Sequence, residues 1–215
     1  MNTILLLVIA YFSGALPIGY WLVKSTNGID LLKVGSGSTG TTNVLRAAGK
    51  GAAALVFLLD NLKGFVPTWL AVYFVHHGML PEIGNSSWIV CLVAIICIVA
   101  HSKSIFLNFK GGKGAATALG TTFAMNYLAS LTSFSLFILL VYLFRFVSLA
   151  SLIAVGTSAL VMWFFSREPS YAGFCAFAGL FVLYSHRANI KRLIAGTEPK
   201  IGQRVEPTTP PEKAI

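Results

Sequence analysis

Three short stretches of this chain hold the residues best suited to chemistry, and in each the chemistry is that of an anion. The first is Phe109-Lys110-Gly111-Gly112-Lys113-Gly114, followed by Ala115-Ala116-Thr117. Glycines allow backbone N–H groups to approach an anion closely, and two cations three residues apart add charge. Phosphate is the natural guest. A loop of this kind standing alone reads first as a basic turn between two membrane helices. The second stretch runs Gly35-Ser36-Gly37-Ser38-Thr39-Gly40-Thr41-Thr42-Asn43-Val44-Leu45-Arg46. Hydroxyls and amides can hold phosphate oxygens there, and Arg46 can add a bidentate fork. Without partners it reads as a flexible loop with an interfacial arginine.

The third stretch is Ser185-His186-Arg187-Ala188-Asn189-Ile190-Lys191-Arg192-Leu193-Ile194-Ala195-Gly196-Thr197-Glu198. A spacing of three puts His186 and Asn189 on one helical face, where an imidazole and an amide can meet a polar substrate. The other reading makes His186 structural and Arg187, Lys191 and Arg192 a basic anchor for the last helix. Residues 35–40 match G-x-G-x-x-G, but a membrane helix precedes them where a dinucleotide site needs a strand. Gly111-Gly112-Lys113-Gly114 lacks both the spacing and the Ser or Thr of a P-loop.

The elements that must position these stretches are membrane helices. Of 215 residues, 56% are hydrophobic and 11% charged, with a mean hydropathy of +0.77. A soluble domain carries about 25% charged residues. Apolar runs are expected over Asn2–Val23, Gly51–Val75, Trp88–Ala100, Ala115–Leu128, Leu131–Phe146, Ser148–Phe165 and Tyr171–Tyr184. The fold class expected is thus all-α membrane, with seven transmembrane helices. Fourteen of the sixteen basic residues fall on one side, the exceptions being Arg167 and Lys63. The positive-inside rule then sets the N-terminus outside and the C-terminus in the cytoplasm, with the polar loops clustered on the cytoplasmic face. The first run has no basic residues before it and no clear cleavage site, so it is expected to be a retained span. One integral membrane domain is expected over residues 1–198, and a polar basic cytoplasmic tail over 199–215.

Cys91, Cys97 and Cys175 lie in apolar runs without Cys-x-x-Cys spacing, and suggest buried thiols. His76, His77, His101 and His186 form no i, i+4 pair with a nearby carboxylate, so no metal is expected. The net charge of +9 suits anionic lipids or anionic substrates better than nucleic acid. Asp60 and Lys63, three apart within the second apolar run, are expected to pair, because a lone charge in a membrane is costly. A role in shaping the site is the sharper alternative. Ser148 and Ser151 open the sixth span, where their hydroxyls can join the polar site or cap a helix.

Taken together, the three stretches resemble the three motifs of the bacterial acyl-phosphate:glycerol-3-phosphate acyltransferases of the PlsY family. The resemblance extends to Leu59-Asp60, Lys63-Gly64 and Val147-Ser148-Leu149-Ala150-Ser151, and so covers nearly the whole chain. It implies an enzyme of the bacterial inner membrane with seven spans and a cytoplasmic active site. Such an enzyme moves a fatty acyl group from acyl phosphate to the 1-hydroxyl of glycerol 3-phosphate, giving lysophosphatidic acid, the first step of phospholipid synthesis. No cofactor, metal or nucleic acid is implied, and the oligomeric state is left open. By the same resemblance Arg46 and Lys113 bind phosphate and act catalytically with His186 and Asn189. Ser36, Asn43, Gly111, Gly112, Gly114 and Ser151 form the substrate pocket, and Asp60, Lys63 and Glu198 support it. The chain has Ser38, Thr41 and Ala188 where that family commonly has Asn, Ala and Glu, which leaves room for a paralogue with another acceptor.

An acyl phosphate already carries an anionic leaving group, so direct transfer needs oriented cations more than a strong acid. A serine nucleophile is the rival, but no G-x-S-x-G elbow or Ser-His-Asp grouping is visible. A transporter would place polar groups at mid-membrane and often show internal repeats. A scaffold subunit would explain the hydrophobicity but not the glycines.

Overall fold

The computed structural model describes residues 3–80 and 87–203. Asn2 of the first expected span, positions 81–86 of the second loop and the basic tail residues Arg204 and Lys213 lie outside the described residues. The elements are α1 (Thr3–Ala15), α2 (Ile18–Asn27), α3 (Thr41–His76), α4 (Ser87–Ser102), a 3-10 turn (Ile105–Leu107), α5 (Ala115–Met125), α6 (Tyr127–Phe144), α7 (Val147–Ser166), α8 (Pro169–Ser185) and α9 (Arg187–Ile194). Among the described residues the one departure from helix and loop is an isolated bridge between Ser104 and Lys110.

Four stretches are long and apolar enough to cross a membrane: Thr3–Asn27, Thr41–His76, Tyr127–Phe144 and Val147–Ser166. Helices α4, α5 and α8 are apolar but shorter. The outward faces are greasy, with Leu160 74% and Leu180 68% exposed, whereas Ala10, Ala71, Ala94, Ala150 and Ala178 face inward. That is the reverse of a water-soluble bundle. It fits helices that meet through small residues and present large ones to lipid. The α3–α5 seam is an example: a Cβ on Gly64 would stand 2.5 Å from the Thr117 carbonyl oxygen, and one on Gly120 2.0 Å from that of Asn61.

The first expected span is broken. Pro17 cannot donate a backbone bond, and α1 ends at Ala15 before α2 restarts at Ile18. The carbonyls at the break find donors on other elements: Ser104 Oγ bonds the Ala15 oxygen at 2.5 Å, and Lys63 Nζ bonds the Leu16 oxygen at 2.9 Å. Helix α3 contains Pro67, which leaves the Lys63 carbonyl without its usual partner four residues on. Ser13 Oγ donates to that carbonyl at 2.9 Å. Each helix thus satisfies a backbone group that the other leaves open.

The expected loop over Lys24–Lys50 is shorter in the structure, because α3 already begins at Thr41. It bends at Gly49, whose φ of 84° and ψ of −175° suit a residue without a Cβ. The segment before the bend carries Val44, buried, and Arg46, half-buried. Helix α5 stops three residues before the expected Leu128, and α6 starts at Tyr127. Asn126 caps α6 by accepting from the Ala129 amide at 2.9 Å, a signal that a count of apolar residues overlooks. The three cysteines are free and buried.

Alanine ordinarily favours a helix over glycine by about 1 kcal/mol, but at Gly120 the added methyl meets the α3 backbone. Gly120→Ala is expected to destabilise the protein by about 1–3 kcal/mol, read as a lower thermal midpoint in detergent. An unchanged or higher midpoint would show that the α3–α5 seam is not as close as described.

Candidate active site

The site lies where the Gly35–Gly40 loop with the first turns of α3, the loop leading into α5, the start of α7, and α9 with the chain after it come together. Asn43, in the first turn of α3, organises its own loop. Its Nδ2 donates toward the carbonyls of Leu31, Val34 and Ser38 at 3.1, 3.1 and 2.9 Å. Its Oδ1 accepts the Ser36 amide at 3.1 Å. Gly35, with φ 57°, turns so close that a Cβ would be 2.3 Å from Asn43 Oδ1. The amide is therefore fully engaged by the protein, and Asn43 shapes the loop that leaves Ser36 exposed.

In the second loop the two lysines part company. Lys110 is exposed and Lys113 half-buried. The backbone of Gly111 and Gly112 lies flat against the end of α4, with the Gly112 amide bonded to the His101 carbonyl at 3.2 Å. Gly114, with φ 86°, then turns the chain into α5.

His186 joins α8 to α9 and Asn189 stands one turn on; both are buried. The His186 Nδ1 lies 2.8 Å from the Val182 carbonyl. A carbonyl can only accept, so Nδ1 carries the proton and Nε2 keeps a lone pair. Lys113 Nζ donates to Asn189 Oδ1. The other end of that amide, Nδ2, donates to Glu198 Oε1 at 2.7 Å. Ser148 Oγ donates to the same oxygen at 2.8 Å, and Arg192 Nε to Glu198 Oε2 at 2.7 Å. Lys113 and Glu198 thereby fix which way the Asn189 amide faces. Arg46 sits within electrostatic range of Glu198, Arg192 and Lys113. Three cations thus surround one carboxylate, leaving positive charge for a ligand.

Charge states follow from these surroundings. Burial lowers the Lys113 ammonium to about 8, with Glu198 opposing and Arg192 and Arg46 adding to the shift. Burial and then Lys113 bring His186 down to about 4, against the Val182 bond and Glu198, so the ring is neutral at pH 7. Burial pushes the Glu198 carboxyl up, but hydrogen bonds from Asn189, Ser148 and Arg192, with the Arg192 charge, outweigh it and hold it below its ordinary value.

The structure brings Lys113, Asn189 and Glu198 into one hydrogen-bonded chain, with Arg46 and His186 beside it. Ser151 is buried one turn from Ser148, its hydroxyl bonded to the Val147 carbonyl at 2.9 Å. Asp60 and Lys63 are buried and paired at 2.9 Å. The part played by Arg192 is not visible in its spacing from Glu198, since six residues is no helical period. α9 ends at Ile194, Gly196 turns with φ 69°, and the Thr197 and Glu198 amides bond back to the Arg192 carbonyl at 2.8 and 3.2 Å. The glycine two residues before the glutamate is the available signal.

The family model described as "Glycerol-3-phosphate acyltransferase" matches residues 4–196. A protein of that name from Nostoc sp. strain PCC 7120 is 45% identical over 206 residues, covering 92% of this chain and 91% of its own. One from Trichormus variabilis is 44% identical over 210 residues, covering 94% and 93%. Among solved structures the chain is similar to PlsY (YgiH), an integral membrane glycerol 3-phosphate acyltransferase. Its glycerol 3-phosphate form gives a TM-score of 0.85 at 36% identity, covering 93% of this chain and 96% of that one. Its lysophosphatidic acid form gives 0.81 at 34%, covering 93% and 95%.

Two results are expected from the site itself. Glu198→Ala strands the buried Asn189 amide and its neighbours and should cost about 1–3 kcal/mol of stability; an unaltered thermal midpoint would show the carboxylate to be dispensable. Sulfate, whose charge is constant near neutrality, should stabilise the protein while Lys113 is protonated, below about 8. The stabilisation should shrink as pH rises through that value and become pH-independent in Lys113→Arg. A sulfate effect in the wild type that is flat across this range would contradict the assignment.

Proposed function

The chain belongs to the glycerol-3-phosphate acyltransferase family, and on that footing we propose that it transfers a fatty acyl group from acyl phosphate to the 1-hydroxyl of glycerol 3-phosphate, releasing lysophosphatidic acid and phosphate. Acylation of glycerol 3-phosphate follows from the family; acyl phosphate as donor is the reading that the site favours. The observation that carries it is the meeting of three cations, Arg46, Lys113 and Arg192, with an uncharged imidazole and an amide. Two anionic substrates need the cations, and an attacking hydroxyl needs a neutral acceptor to orient it.

In this reading Lys113 and Arg46 hold phosphate, helped by the exposed Ser36 hydroxyl. His186 Nε2 and Asn189 align the glycerol, Ser151 lines the pocket, and Gly111, Gly112 and Gly114 shape the loop that carries Lys113. The hydroxyl oxygen attacks the acyl carbonyl carbon, the bond from that carbon to the phosphate oxygen breaks, and phosphate leaves with the electron pair. The proton must go to a base. Burial and the nearby Lys113 bring His186 down to about 4, so its neutral ring orients the hydroxyl, and in this reading a substrate phosphate takes the proton. Transfer is direct, without an acyl-enzyme, and requires no cofactor or metal.

The same reading takes α1 with α2 as one interrupted span and adds α3 to α8 as the rest, seven in all, within one domain over residues 1–198. It sets the N-terminus outside and the site at the cytoplasmic face of a bacterial inner membrane, with membrane lipid around it. Support comes from the basic residues, since Lys33, Arg46, Lys103, Lys110, Lys113, Arg145 and Arg192 all belong to loops or helix ends at the site's end of the bundle.

Purified protein given acyl phosphate and labelled glycerol 3-phosphate should form labelled lysophosphatidic acid, and acyl-CoA should not replace the donor. A hydrogen bond to a charged group contributes about 1.5–3 kcal/mol, so Arg46→Ala and Lys113→Ala should each raise the glycerol 3-phosphate KM roughly 10- to 100-fold. Unchanged KM and turnover in both would refute the roles, and acyl label trapped on the protein in a single turnover would sink direct transfer.

A further inference from the structure

Behind the Gly111–Lys113 loop lies a buried group with no part in the chemistry so far. We infer that His101, at the end of α4, is a positioning residue: its ring and carbonyl form the floor that sets where Gly111, Gly112 and hence Lys113 stand, and the Asp60–Lys63 pair of α3 fixes that floor. This rests on the reading of Lys113 as a phosphate ligand.

The geometry is close on every side. A Cβ at Gly112 would lie 2.0 Å from His101 Nε2 and 2.6 Å from its Cε1. One at Gly111 would lie 2.2 Å from the His101 carbonyl oxygen. That carbonyl also accepts the Gly112 amide at 3.2 Å. Both glycines are therefore required by the imidazole and peptide behind them, before any ligand is considered. The other side of the ring faces Asp60, with Nδ1 3.8 Å from Oδ1, and no hydrogen bond reaches Nδ1. Asp60 is itself held by Lys63 Nζ at 2.9 Å, and Lys63 by the Leu16 carbonyl at the α1–α2 break. His101 is 5%, Asp60 2% and Lys63 6% exposed. The ring stands edge-on between the Asp60–Lys63 pair and a glycine backbone, so its width from Nδ1 to Nε2 sets the height of the loop.

An imidazole is rigid and planar, whereas alanine leaves a gap into which the loop can settle. A displacement of about 1 Å at a binding group can cost on the order of 100-fold. His101 does not touch substrate, so its loss should act through Lys113, on binding more than on the chemical step.

The test is a mutational cycle on the full-length protein in detergent, read as kcat and KM for glycerol 3-phosphate, with titration calorimetry of glycerol 3-phosphate and a thermal midpoint for each variant. His101→Ala is expected to raise KM on the order of 10-fold with kcat nearly kept. His101→Gln, which restores an amide nitrogen near the Nε2 position, should recover most of that loss. Gly112→Ala should be severely impaired in the wild-type background, where its methyl meets a rigid ring, and should add little further loss in the His101→Ala background. If His101→Ala does not fold, the same comparison in His101→Gln decides, because a flexible amide can move aside. Equal factors for Gly112→Ala in both backgrounds, an unaltered KM in His101→Ala, or a His101→Gln that binds normally but loses kcat would each overturn the inference. Wild-type protein that neither binds nor acylates glycerol 3-phosphate would instead overturn the functional reading on which it rests.

Discussion

A single buried carboxylate governs the rest of this site. Glu198 accepts from Asn189, Ser148 and Arg192, and so ties together α9, the start of α7 and the chain that returns after Gly196. A buried carboxylate needs such donors, because its isolated charge would cost several kcal/mol. By accepting a hydrogen bond from Asn189 Nδ2 it presents Asn189 Oδ1 to Lys113, which brings the second loop to the third. Half-burial of Lys113 then lowers its ammonium to about 8, close enough to neutrality that a bound dianion strengthens its charge. The same surroundings leave His186 uncharged, fit to accept a hydrogen bond.

Beneath this polar layer the helices solve a different problem. Little water is available within an apolar bundle, so backbone groups freed by Pro17 and Pro67 must be served by side chains. Ser13, Ser104 and Lys63 do this across helix pairs. The prolines, the small-residue seams and the Asp60–Lys63 pair are therefore one mechanical unit. It carries the α4 end, and through His101 the glycine loop. The polar site thus depends on order deeper in the helix bundle, at positions outside the site itself.

Much of this was legible in the amino-acid sequence because it depends on local pattern. Apolar runs marked the helices, glycines with Lys113 and hydroxyls with Arg46 marked the loops, and a spacing of three joined His186 to Asn189. The Asp60–Lys63 pair followed from the cost of a lone charge in lipid. Less visible were features fixed by distant partners. Nothing near Asn43 signals that its amide is used by Leu31, Val34 and Ser38. Nor does the run around His101 show a ring under Gly112. Glu198 was legible as support, but its centrality needed the turn at Gly196 and Ser148 from fifty residues away. Boundaries slipped where a cap or a proline overrode hydropathy, at Asn126 and at Pro17.

The central claim is that Glu198, through Asn189, holds Lys113 where it and Arg46 grip a substrate phosphate. A crystal structure of this chain with glycerol 3-phosphate bound tests it most directly. The account predicts phosphate oxygens within hydrogen-bonding distance of both Lys113 Nζ and the Arg46 guanidinium, with Asn189 and Arg192 still bound to Glu198. A phosphate seated away from both cations, or one whose binding releases Glu198 from those partners, would contradict it.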